Sequence, residues 1–144
     1  MTLTPRSRLL AVDYGDSRTG LAATDWTGAI AVPLPRIDSR DREEVVRLVV
    51  ELAAERDTEG LVVGMPLTLD GTPGERAQRT QEFVALLQQA TTLPVATVDE
   101  SHTTDEAHER LKMGGMKAKK RKDFADSVAA LVILERYQHL LARA

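Results

Sequence analysis

The chain reads as an α/β protein: a mixed sheet of five strands, three antiparallel and then parallel ones, with helices on both faces. Three observations predict it. Up to residue 34, short apolar runs alternate with glycine-bearing turns. Beyond that, segments of helical period alternate with the unbroken apolar run "GLVVGMPL" and the strand-like "LPVATVDE". The chain then closes on a stretch that is apolar nearly all round between Val128 and Leu134. A meander followed by alternating helices and strands gives a mixed sheet covered on both sides.

Residues 8–14 and 19–25 read as strands joined by a turn at Gly15, and Trp26, Thr27 and Gly28 turn the chain into a third strand, "AIAVPL". From 42 to 56, Val45, Leu48, Val49 and Leu52 recur at helical spacing among charges. "GLVVGMPL" follows as a strand buried on both faces. A second helix is expected over about 75–90, with Ala77, Thr80, Val84 and Leu87 on one side, and then the strand "LPVATVDE". Thr103 and Glu106 have capping-box spacing and open a short helix through Leu111, ended by Gly114 and Gly115. The last helix is expected from about 124 to 142.

At 144 residues, the chain fits one domain, 1–144, with enough length to bury a core. It contains no cysteine, which excludes disulfides, thiolate catalysis and thiolate metal centres. No apolar run reaches the roughly 18 residues of a membrane span, so a soluble cytoplasmic protein is expected. A net charge of -3 argues against coating nucleic acid by bulk electrostatics. Yet residues 112–123 hold six of the 19 basic side chains, a local basic patch on an acidic body. With two Phe, two Tyr and one Trp there is no aromatic platform for stacked bases, so a bound nucleic acid would be held by its backbone.

Sites in open α/β sheets collect beyond the carboxyl ends of strands. Two strands here end in acids, at Asp13 and at Asp99 with Glu100. Asp13 alone could be a turn former accepting local backbone hydrogen bonds. A further acid, Asp126, falls in the first turn of the expected last helix, with Asp123 three residues earlier. There it would suit the positive end of the helix dipole. It also shares a side with Ala129, Ala130 and Ile133, where a buried acid needs a partner.

Carboxylates gathered from separate elements oppose one another's ionisation unless a cation compensates them. An all-oxygen cluster with spare coordination positions suits Mg²⁺ or Mn²⁺, and a pair of such ions supports phosphodiester hydrolysis. Gly15, having no side chain, would let a phosphate or metal approach the backbone.

Four ordered blocks, "AVDYGDSRTGLAATD", "VVGMPLTLDGTPGERAQRT", "LPVATVDESHTTDEAHERL" and "DSVAALVILERY", run along nearly the whole chain. In them the sequence resembles the YqgF/RuvX family of pre-16S ribosomal RNA nucleases, also called Holliday junction resolvase-like proteins, which have an RNase H-like fold. The resemblance implies that Asp13, Glu100 and Asp126 are the metal-binding catalytic acids, with Asp99 and Asp123 as further candidates. It also implies processing of the 5′ end of the small-subunit ribosomal RNA precursor. One departure stands out: where the family's block has arginine after the glutamate, this chain has Ser101 and then His102. Arg18 or His102 could supply the lost phosphate contact, although a surface histidine more often has no chemical role.

Other basic residues complete the expectations. Arg76 and Arg79, one turn apart, could clamp a phosphate or simply face solvent. Lys117, Lys119, Lys120, Arg121 and Lys122 follow two glycines and precede Asp126, as a basic loop at the mouth of the site that would grip a phosphate backbone. The favoured function is a metal-dependent nuclease on precursor ribosomal RNA. Alternatives are resolution of branched DNA, which requires a symmetric dimer, and a non-catalytic RNA-binding module. An actin-like ATPase is disfavoured because one such domain lacks a second lobe to close over a nucleotide. Monomer and homodimer both stay open.

Overall fold

The computed structural model describes residues 2–66, 74–100 and 118–143, the side chains of 118–126 excepted. Its strands are β1 (Leu9–Asp13), β2 (Arg18–Thr24), β3 (Ala31–Asp38), β4 (Gly60–Met65) and β5 (Val95–Asp99). Its helices are α1 (Arg42–Glu55), α2 (Glu75–Ala90) and α3 (Ala118–Arg143). The sheet order is β3-β2-β1-β4-β5. β1 pairs antiparallel with β2 and β2 with β3, while β4 runs parallel to both β1 and β5.

The period of two along each strand divides the core into two layers. On one face Leu10 and Val12 of β1, Leu21 and Ala23 of β2, and Leu61 and Val63 of β4 pack against Val45, Val49 and Ala53 of α1 and Phe83 and Leu87 of α2. On the other face Leu9, Ala11, Ala22, Val62 and Val98 meet Ala130, Ile133 and Leu134 of α3. Central β1 and β4 are therefore apolar at nearly every position, as strands covered on both faces must be. Helices lie on both faces, as the sequence leads one to expect.

Local chemistry sets the element ends. Asp41 caps α1, its carboxylate accepting from the Glu43 and Glu44 amides at 3.1 and 3.4 Å. Past the other end, Asp57 takes a left-handed conformation at φ 52°, a helix-terminating role that glycine usually fills. β3 runs on through Pro33 and Pro35 to Asp38, further than "AIAVPL" predicts. It lies at the edge of the sheet, where a proline does not interrupt a ladder on both sides and discourages further strand addition.

The last helix departs more. It begins at Ala118, not near 124, so residues 118–122 of the basic run are helical rather than a loop. Asp126 accordingly stands in the third turn, and compensation of a helix N-terminus no longer accounts for it. The expected helix from Thr103 to Leu111 lies outside the described residues. Ser127 ties α3 to β3, its Oγ donating to the Leu34 carbonyl at 2.7 Å. Among the described residues, no helix is long and apolar enough to cross a membrane.

Candidate active site

Strand parity decides where the acids point. Asp13 follows Leu9 and Ala11 on the face that α3 covers, whereas its neighbour Tyr14 belongs to the other layer. There Tyr14 stacks on Phe83 of α2 at a centroid separation of 4.3 Å. Desolvation in that contact pushes the Tyr14 phenol above its ordinary value, partly opposed by the Arg42 charge.

At the end of β5, Glu100 follows Val98 onto the α3 face, and its amide donates to the Met65 carbonyl at 3.1 Å, extending the β4–β5 ladder by one rung. Asp99 takes the opposite side and is exposed, while its carbonyl accepts from Arg136 Nη1 of α3 at 2.9 Å. Of the two adjacent acids, only Glu100 shares a face with Asp13.

β4 runs between them, and its glycine makes their approach feasible. A Cβ built on Gly64 would stand 3.0 Å from both Cβ and Oε2 of Glu100 and 2.4 Å from Cδ1 of Ile133. The Glu100 carboxylate and α3 therefore both lie against bare backbone at this point, where no larger residue fits without displacement. Both acids are largely buried, with side-chain exposures of 11% for Asp13 and 5% for Glu100.

Arg76, in the first turn of α2, brings the pair into a common measure. Its Nη2 is 3.9 Å from Asp13 Oδ1 and also 3.9 Å from Glu100 Oε1. The two carboxylate oxygens are thus separated by less than twice that distance. Arg79, one turn on, instead faces Asp16 in the β1–β2 turn, Nε to Oδ1 3.2 Å. The two arginines serve different carboxylates rather than converging on one point.

The other candidates distribute as follows. Arg18 opens β2, exposed and in register with Asp38. Its carbonyl fills the space beside Gly15, where an added Cβ would come within 2.3 Å. The absent side chain at Gly15 therefore closes the β1–β2 turn, and the space that the sequence reading reserved for a phosphate or metal is taken by backbone. The side chains of Lys119, Lys120, Arg121, Lys122, Asp123 and Asp126 lie outside the described residues, as do Lys117, Ser101 and His102 entirely. In the helix, position 126 is one turn before Ala130 and two before Ile133, the residues that pack on the acids' face. An apolar groove of about 420 Å³, lined by Leu21, Leu34, Ile37, Leu48 and Leu52, lies on the opposite face against α1, away from both carboxylates.

Sequence reasoning placed Asp13 and Glu100 as candidates but did not find Gly64. The signal was available in "GLVVGMPL": a glycine inside a buried strand marks a close approach of something else.

Comparison with known proteins agrees with this architecture. The T. thermophilus RuvC chain, solved in complex with a Holliday junction substrate, superposes with a TM-score of 0.59 at 17% identity, covering 94% of this chain and 97% of that one. The Fowlpox virus resolvase, solved with Holliday junction DNA, gives a TM-score of 0.56 at 11% identity, over 93% and 98% of the two chains. These likenesses show the RNase H-like fold of resolvases.

Sequence relatives are nearer. A protein of Ruminiclostridium cellulolyticum named "Putative pre-16S rRNA nuclease" is 36% identical over 137 residues, 94% of this chain and 96% of its own length. A protein of the same name from Acetivibrio thermocellus is 39% identical over 132 residues, 90% and 94% of the two chains. The sequence profile described as "RuvX: Holliday junction resolvase" matches residues 7–139. With that span and these identities, the chain belongs to the RuvX family.

Proposed function

We propose that this protein is a divalent-metal-dependent nuclease that processes the precursor of small-subunit ribosomal RNA in the cytoplasm, with Asp13, Glu100 and Asp126 as the acids that hold Mg²⁺ or Mn²⁺. The observation that carries the reading is the convergence of Asp13 and Glu100 from two strands onto one buried spot, with Glu100 Oε1 lacking a hydrogen-bond partner among the described residues. A buried carboxylate oxygen left without a donor carries a cost of about 1–3 kcal/mol unless something else satisfies it. Hard oxygen donors from separate elements fit a divalent cation. Among the described residues no three acids form such a group, and the side chain of Asp126 lies outside them.

Each part of the chain has a task in this reading. Asp13 and Glu100 offer oxygen ligands from rigid strand ends, and Gly64 lets Glu100 lie low over β4. Ile133 and Ala130 wall the site with apolar surface, which strengthens electrostatic contacts inside it. Bound between these acids, a divalent ion would activate a water and stabilise the leaving oxygen of a phosphodiester. The basic first turns of α3 hold the nucleic acid by its phosphates, which positions it without reading sequence. The relatives' name favours ribosomal RNA as substrate.

The test is incubation of the pure protein with a 5′-extended small-subunit RNA fragment and with a four-way DNA junction, in Mg²⁺, Mn²⁺ or chelator. Metal-dependent cleavage of the RNA is expected. Cleavage confined to the junction would move the substrate to branched DNA and require a dimer with two facing sites. Cleavage of neither would remove the enzymatic reading.

A further inference from the structure

Arg76 is a cation set against both buried acids, and its geometry is unlike that of a structural ion pair. An arginine that holds a carboxylate permanently uses its planar fork, with paired bonds of about 2.7–2.9 Å. Here a single nitrogen is shared between Asp13 and Glu100 at 3.9 Å from each, beyond hydrogen-bonding distance. Glu100 Oε1 has no hydrogen-bond partner among the described residues. Arg76 thus offsets charge without consuming the donor set. Its side chain is 57% exposed, so it has room to swing away from the acids while its backbone stays anchored in α2. Arg79, by contrast, approaches its own partner Asp16 to 3.2 Å.

We propose that Arg76 is an exchangeable counterion: it holds Asp13 and Glu100 together in the metal-free protein, gives way to the divalent cation, and then turns its guanidinium to a phosphate oxygen of the bound nucleic acid. The inference rests on the metal-dependent reading of the acid pair. Charge balance favours the exchange. A divalent cation seated on oxygens of Asp13 and Glu100 compensates their charges at closer range than the guanidinium does, and repels it. An arginine displaced to the rim of a metal site is suited to a phosphate, whose oxygens match its fork.

The experiment is a calorimetric Mn²⁺ titration of the unmodified protein and of Arg76→Gln, Arg76→Lys, Asp13→Asn and, as a remote control, Arg47→Gln, which removes an exposed pairing on α1. In parallel, binding of a labelled RNA hairpin with hydrolysis-resistant phosphorothioate linkages is measured with and without Mn²⁺. Arg76→Gln is expected to bind Mn²⁺ ~2- to 5-fold more tightly, the scale of losing exposed ion-pair competition. The gain in hairpin affinity that Mn²⁺ brings should shrink by a similar factor. Arg76→Lys, which keeps the charge, should stay close to the unmodified protein in Mn²⁺ affinity, and Arg47→Gln should match it in both measurements. Equal or weaker Mn²⁺ binding by Arg76→Gln, with Asp13→Asn abolishing it, overturns the counterion role and leaves the metal site standing. An undiminished hairpin gain in Arg76→Gln overturns the transfer to phosphate. Mn²⁺ binding by none of these proteins overturns both this inference and the metal-dependent reading.

Discussion

Glu100 lies over Gly64: the position where a Cβ of residue 64 would sit is 3.0 Å from the Glu100 Oε2. This contact lets an acid at the end of β5 reach across β4 towards Asp13 on β1. It also makes the site sensitive to a single methyl group in the sheet.

Gly64→Ala separates packing from chemistry. Its methyl would crowd Ile133 Cδ1 and Glu100 together, and overpacking of this kind costs about 1–3 kcal/mol. Ile133 contributes only the far end of a flexible side chain, so Gly64→Ala with Ile133→Val should recover part of the stability. Cleavage should stay at least ~10-fold down in both variants, because Glu100 is still displaced. Urea unfolding and initial cleavage rates check this; full activity in the single variant would show that the Glu100 position is immaterial.

Gly15→Ala acts differently. The added Cβ meets the Arg18 carbonyl, which is backbone and cannot turn aside. A stability loss of about 2 kcal/mol or more is expected from urea unfolding. If Gly15 instead served the approach of a ligand, stability would be unchanged and only metal or nucleic-acid binding would fall.

Much of this architecture was legible in the sequence because burial on both faces leaves unbroken apolar runs, as in β4, and amphipathic helices leave a stripe, as in α1. The start of α3 was not. Residues 118–123 carry no apolar stripe, and periodicity is blind to a helix turn made of charges. The lysines, arginine and alanine there are good helix formers, a propensity signal that could have found it. β3 continues past "AIAVPL" although two prolines argue against a central strand, and only the sheet order reveals that it is an edge. Asp13 and Glu100 were visible as acids closing strands. Their meeting across Gly64, and the reach of Arg76 to both, depend on parity and sheet order, which no local pattern encodes.

Tyr14 supplies a pH dependence. Burial against Phe83 raises its phenol pKa in the folded state, so the folded protein holds that proton more tightly than the unfolded chain does. The resulting stability is fully present below the unfolded tyrosine pKa and is lost as pH rises through the folded one. Tyr14→Phe keeps the stacked ring and removes this contribution. Thermal unfolding between neutral and strongly alkaline pH should show a shallower decline in the variant; parallel declines would contradict the assignment.

The basic start of α3 is tested by salt. Replacing Lys119, Lys120 and Arg121 with glutamine should weaken RNA binding for all sequences alike and lower the slope of log affinity against log salt by about 2, at roughly 0.7 per phosphate contact on a single strand. An unchanged slope would mean that these side chains face solvent only.

The central claim is that Asp13 and Glu100, with Asp126, hold a divalent cation. Anomalous diffraction from crystals soaked in Mn²⁺ measures this most directly. A peak within about 2–2.5 Å of carboxylate oxygens of both Asp13 and Glu100 is expected, and it should vanish in Asp13→Asn, which should also abolish metal-dependent cleavage, as should Glu100→Gln and Asp126→Asn. A soaked crystal with Mn²⁺ bound elsewhere and none between these acids would contradict the account.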